Sequence, residues 1–160
     1  MLGLRTTAPA DTVPALGTAT SRDAEAAHCG QYACDMARVL LVTDASWVRN
    51  QTMAALGGPD NEIIEVADPR AALDHADDSD PGIAIVDLQV GSMGGMAVTR
   101  SLKDGAMAGD IGTIPILLLL DRSADSFLAK RAGADAWLIK PFAAQDLRAA
   151  VDSLLVVSQS

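Results

Sequence analysis

Three short apolar runs of this chain end in groups that can do chemistry. Gly82-Ile83-Ala84-Ile85-Val86 delivers Asp87 to a stretch holding Gly91, Ser92, Gly94 and Gly95. Arg38 to Val42 leads into Thr43 and Asp44, and the run through Ile139 ends in Lys140-Pro141. A strand that ends on a carboxylate beside a glycine-rich loop makes an exposed, positioned acid, available to a cation or a partner. An Asp at a strand end is also a common helix cap or turn former. The weight against that plainer role for Asp87 comes from Asp44 and Lys140 at matching strand ends, where the three groups would converge on one edge of the fold. A fourth run, Ile114 to Leu120, ends beside Asp121.

The elements that must position these groups begin at Arg38, from where short apolar runs alternate with helix-period segments, as in a parallel sheet with crossover helices. Strands are predicted at 38–43, 62–66, 82–87, 114–120 and 135–139, and helices at 46–57, 69–77, 95–106, 122–132 and 143–156. Gly57-Gly58 and Gly133 serve as helix stop signals. The run Ile116 to Leu120 is apolar on both faces, so that strand belongs in the centre with helices on both sides. The result is a three-layer α/β sandwich of five βα units. In such sheets functional groups gather beyond the carboxyl ends of the strands, at the switch point of the 2-1-3-4-5 order.

The order, spacing and types of these residues resemble the receiver domain of the bacterial two-component response-regulator family. Asp87-Leu88-Gln89-Val90-Gly91-Ser92-Met93-Gly94-Gly95-Met96 resembles its phosphoacceptor loop, and Ala132 to Phe142, with Lys140-Pro141 near the end, resembles its last strand and lysine turn. The resemblance is to stand-alone, chemotaxis-regulator-like members. It implies a flavodoxin-like fold, five parallel strands in the order 2-1-3-4-5 with five helices, and a cis bond before Pro141. It also implies that Asp87 takes a phosphoryl group from the histidine of a kinase or phosphotransfer protein. Asp44, Asp87 and the backbone carbonyl of Gln89 would hold Mg²⁺, which needs only one or two carboxylates beside phosphate oxygens and water. The metal and the Lys140 ammonium would offset the charge of the transferring group. Such a domain signals through protein contacts and catalyses at most its own phosphoryl transfer and hydrolysis.

Departures from the family pattern surround that core. Thr43 stands where the family usually has a second acid, so Mg²⁺ affinity should be weaker, though not abolished. Leu120 stands where a Thr or Ser hydroxyl usually bonds the phosphoryl group, an interaction contributing about 1.5–3 kcal/mol. Trp137 takes the place of the switch aromatic, so its coupled movement is in question. Asp121 replaces a small residue and leaves several roles open: opposing the phosphoryl group by roughly 4 kcal/mol at about 4 Å in an effective dielectric near 20, pointing outward, facing the metal, or capping the helix that begins near Arg122. Ala129, Lys130 and Arg131, with Trp137 and the helix around Asp146 to Val151, would form the family's helix 4–strand 5–helix 5 signalling face, for a downstream partner or a homodimer. Trp47 should lie near the mouth of the site.

Composition narrows the alternatives. A formal charge of -9 over 160 residues, with no cluster of Lys and Arg, argues against direct nucleic-acid binding. No apolar run is long enough for a bilayer, which makes the cytoplasm the expected location. Cys29 and Cys34, beside His28, support neither a four-ligand zinc site nor a disulfide framework. Residues 1–36 read as a disordered tail and 37–160 as the receiver; Met36, directly before the first strand, is an alternative start. A flavin or nucleotide enzyme is disfavoured because Asp44-Ala45-Ser46-Trp47 lacks the glycines of a phosphate cradle, and a hydrolase because Gln89 stands where a paired Asp would be needed. Two classes stay open: a Mg²⁺-dependent phosphoaccepting switch, favoured by Asp44, Asp87 and Lys140, and a degenerate receiver acting as a phosphorylation-independent interaction module.

Overall fold

The computed structural model describes residues 36–91 and 93–158. The expected tail, Cys29, Cys34 and His28 lie outside the described residues. Five strands form the sheet: β1 Ala37–Val42, β2 Asn61–Val66, β3 Ile83–Asp87, β4 Ile116–Leu120 and β5 Ala136–Ile139. They alternate with α1 Ser46–Leu56, α2 Ala72–Ser79, α3 Gly95–Ala108, α4 Ser126–Ala132 and α5 Ala144–Ser158. The strands pair in parallel in the order β2-β1-β3-β4-β5, as expected from the sequence.

Side chains two apart along a strand share a face, and the apolar runs divide accordingly. Leu40, Val42, Ala84, Val86, Ile116, Leu118 and Leu120 pack with residues of α2, α3 and α4. Val39, Leu41, Ile83, Ile85, Leu117 and Leu119 pack on the other face with residues of α1 and α5. Every residue of β3 and β4 is buried. Edge strand β5 alternates half-buried and exposed positions. The polar strand ends are therefore carried on a rigid two-sided core.

The structure shifts several predicted boundaries. The helix expected from 69 opens with a 3-10 turn, Pro69–Ala71, where the Arg70 N–H donates to Asp68 Oδ1 at 2.9 Å, and the helix expected from 122 follows a similar turn at Ser123–Asp125. β4 starts at Ile116 rather than Ile114, because Pro115 has no N–H and the Ile116 N–H donates to Asp135 Oδ2 at 2.8 Å. Gly133 ends α4 in the left-handed conformation at φ 95°, as a stop signal should, whereas Gly57 ends α1 in an extended one. Gly95 has a different use. A Cβ there would run into the Asp87 carbonyl, so glycine lets α3 start directly against the end of β3.

Candidate functional site

The register places Val42 beside Val86, so the chain beyond β1 runs next to Asp87. Thr43 is buried there, and its hydroxyl donates to Asp87 Oδ2 at 3.1 Å while accepting from the Ala45 N–H at 3.1 Å. Asp87 Oδ1 accepts from the Gln89 N–H at 3.2 Å and from Lys140 Nζ at 2.7 Å. The carboxylate expected to be exposed is thus only 1% accessible. Its cover is the lysine from the end of β5, itself a buried side chain.

Lys140 is gripped from three directions. Besides Asp87, its Nζ lies 2.9 Å from Asp121 Oδ1, and the Trp47 ring centroid lies 5.7 Å away. Burial lowers the ammonium's pKa, but the hydrogen bonds and charges of Asp87 and Asp121 outweigh it, and the net direction is up. The Lys140–Pro141 bond is cis.

Asp121 therefore neither caps the following helix nor faces outward. The 3-10 turn after it has Arg122 as its cap residue, with no side-chain cap bond, and Asp121 turns to the lysine because Leu120 and Ile139 are register partners, which puts residues 121 and 140 side by side. Its second oxygen, Oδ2, is buried without a hydrogen-bond partner. Asp44 is exposed, and its Oδ2 accepts from the Gly91 N–H at 3.0 Å, tying the loop after β1 to the loop after β3. It lines a cavity of about 220 Å³ with Thr43, Ser46, Arg49 and Glu65. Gln89 is exposed.

Among the described residues no three His, Cys, Asp or Glu side chains form a metal-holding group. Mg²⁺ needs only one or two carboxylates and fills its remaining positions with water and phosphate; of the expected pair, Asp44 is exposed and Asp87 is buried. Asp121 is engaged by the lysine instead of supplementing that pair.

Leu120 is fully buried in the core shared with α2, α3 and α4. Trp137 is 37% exposed on β5, near exposed Ile139, while Phe127, Leu128, Lys130 and Arg131 are exposed on α4. Ala129 is not part of that surface. It is fully buried, since it follows the apolar stripe of a short amphipathic helix. Val151, at the end of the expected α5 face, is likewise buried. A groove of about 800 Å³ lined by Met96, Arg100, Leu128 and Arg131 contains none of the strand-end groups.

The model of the response regulator receiver domain matches residues 39–152 of this sequence. The chain belongs to the response regulator receiver domain family. Receivers are signalling phosphoacceptor domains of two-component systems, not classical enzymes, and they work with histidine kinases or phosphotransfer proteins. This receiver is 32% identical over 120 residues to the transcriptional regulatory protein PrrA of Mycobacterium tuberculosis, covering 74% of this chain and 49% of the relative. It is 28% identical over 120 residues to the two-component response regulator PhoP of Pseudomonas aeruginosa, covering 74% of this chain and 51% of PhoP. The chain thus spans about half the length of these curated relatives. Among solved structures, the chemotaxis protein CheY4 of Vibrio cholerae matches with a TM-score of 0.66 and 27% identity, covering 75% of this chain and 99% of that one. Among the described residues no helix is long and apolar enough to cross a membrane.

The Thr43 bond to Asp87 and the Asp121 bond to Lys140 were not assigned from sequence, whereas Trp47, expected near the mouth of the site, lies with its ring by that lysine. Asp121 had a usable signal, its place at the end of the strand next to β5.

Proposed function

We propose that this receiver accepts a phosphoryl group on Asp87 from the phosphohistidine of a kinase or phosphotransfer protein in the cytoplasm. The observation that carries the reading is the Asp87 carboxylate held between Thr43 Oγ1 and Lys140 Nζ at the carboxyl end of the sheet of a receiver. A carboxylate oxygen of Asp87 forms the new O–P bond as the donor's P–N bond breaks, and the histidine nitrogen keeps the electron pair. Thr43 and the Gln89 N–H orient the attacking carboxylate, and Lys140 offsets charge on the transferring group. Asp44, Asp87 and the Gln89 carbonyl would hold Mg²⁺, which when bound neutralises part of the phosphoryl charge. Contacts with a downstream protein, or a second copy, would use the exposed α4–β5–α5 surface around Trp137, Ile139 and Lys130.

A second reading, a phosphorylation-independent interaction module, is favoured by buried Leu120, which has no hydroxyl, and by Asp121 on Lys140. One experiment separates them. The protein is incubated with Mg²⁺ and acetyl phosphate and its intact mass compared with an Asp87→Asn control. An adduct that depends on Asp87 supports the phosphoacceptor; equal masses for both proteins, repeated with a phosphorylated histidine kinase, favour the module.

A further inference from the structure

Leu120 deprives this receiver of a hydroxyl that a phosphoryl group could attract, yet the next residue meets the reacting lysine directly. Nζ of Lys140 lies 2.7 Å from Asp87 Oδ1 and 2.9 Å from Asp121 Oδ1. An ammonium group has three N–H donors, so at most one is left for anything that enters the site. Two carboxylates and one ammonium sum to a charge of -1.

We propose that phosphorylation of Asp87 is transmitted by repulsion: the phosphoryl group takes over the Lys140 ammonium and expels the Asp121 carboxylate, moving the segment that follows β4. The inference rests on Asp87 being the phosphoacceptor and concerns what that event does next. With an acyl phosphate as donor, the O–P bond to Asp87 forms while the donor's P–O bond breaks, and the electron pair leaves with the donor's carboxylate. Asp87 gives up one negative charge and gains a phosphoryl dianion, so the three residues pass from -1 to -2 around a single ammonium.

Three observations make Asp121 the group that yields. Its side chain is 30% accessible, against 1% for Asp87, so it can turn to water. Its buried Oδ2 has no partner, and leaving restores that oxygen's hydration. Leu120 before it is fully buried, while the 3-10 turn Ser123–Asp125 after it has no buried residue. Movement is thus confined to the loop leading into α4, whose first turns carry exposed Phe127 and Leu128.

The test measures phosphorylation by intact mass and amide hydrogen exchange across residues 121–126 in the full chain, with acetyl phosphate and Mg²⁺, for wild type, Asp121→Asn, Asp121→Ala and Asp87→Asn. In wild type, phosphorylation raises exchange in that segment by about tenfold. In both Asp121 variants the adduct forms on the order of tenfold faster, and exchange there is the same with and without it. Asp121→Asn keeps the shape and removes the charge, which separates repulsion from loss of packing. Phosphorylated wild type with unchanged exchange, or an Asp121→Asn protein that responds like wild type, overturns the inference alone. Absence of any Asp87-dependent adduct in every variant, with kinase as well as with acetyl phosphate, overturns the phosphoacceptor reading and this inference together.

Discussion

The ends of β1 and β3 hold Asp87 mainly with neutral donors, whereas the ends of β4 and β5 hold it with charge. On the first side stand the Thr43 hydroxyl at 3.1 Å and the Gln89 N–H at 3.2 Å, with Asp44 tied by the Gly91 N–H at 3.0 Å. On the second stand Lys140 and its other carboxylate, Asp121. Neutral hydrogen bonds are short-ranged and directional, so they fix a carboxylate in place. Charge acts over longer distances and redistributes when another charge arrives. One half of the site positions, and the other half responds.

The strongest way to break this division is to remove the cation. Lys140→Met leaves Asp87 and Asp121 without their shared partner, and loss of one member of a buried pair costs about 3–5 kcal/mol, read from the urea midpoint. The same contact has a pH signature. The folded pKa of Lys140 lies above the ordinary 10.5, so its stabilisation is complete below that value and is lost as pH rises through the raised one. The gap in stability between wild type and Lys140→Met should therefore narrow in alkaline urea titrations, from about pH 10.5 upward. A gap that stays constant through the lysine range contradicts the assignment.

Leu120→Thr asks what the missing hydroxyl costs. Lost apolar burial plus a buried hydroxyl destabilises the unphosphorylated protein by about 3 kcal/mol, measured by denaturation. Thr43→Val tests the neutral half with nearly the same shape. Losing a hydrogen bond to a charged carboxylate costs about 2 kcal/mol, with little change in the alkaline profile because Lys140 keeps both its partners. Trp47→Leu is the mildest change. It removes the ring face from Lys140 and costs about 0.5–1 kcal/mol, and in a double-mutant cycle with Lys140→Met that cost should vanish.

The parallel sheet was legible because runs such as Ile116 to Leu120 are apolar on both faces, a property of central parallel strands that local sequence expresses directly, whereas the strand order came with the family resemblance. Asp44, Asp87 and Lys140 were legible as strand ends for the same reason. The burial of Asp87 was not, because its cover comes from a lysine 53 residues away. Nor was the direction of Asp121, since a short carboxylate after a strand can cap, face water or cross to a neighbour, and the choice is made by the register of β4 with β5. The 3-10 turns before α2 and α4 escaped because a turn of that kind and the first turn of an α-helix draw on the same residues.

β5 is only four residues long, and Trp137 and Ile139 on its outer face are followed at once by Lys140 on the inner side. A protein that grips those two side chains holds the root of the lysine's tether. On the phosphoacceptor reading, a partner that favours one placement of that ammonium over another would shift the phosphorylation equilibrium of Asp87 by the same free energy. Such a partner would not merely read the site; it would set part of the site's equilibrium.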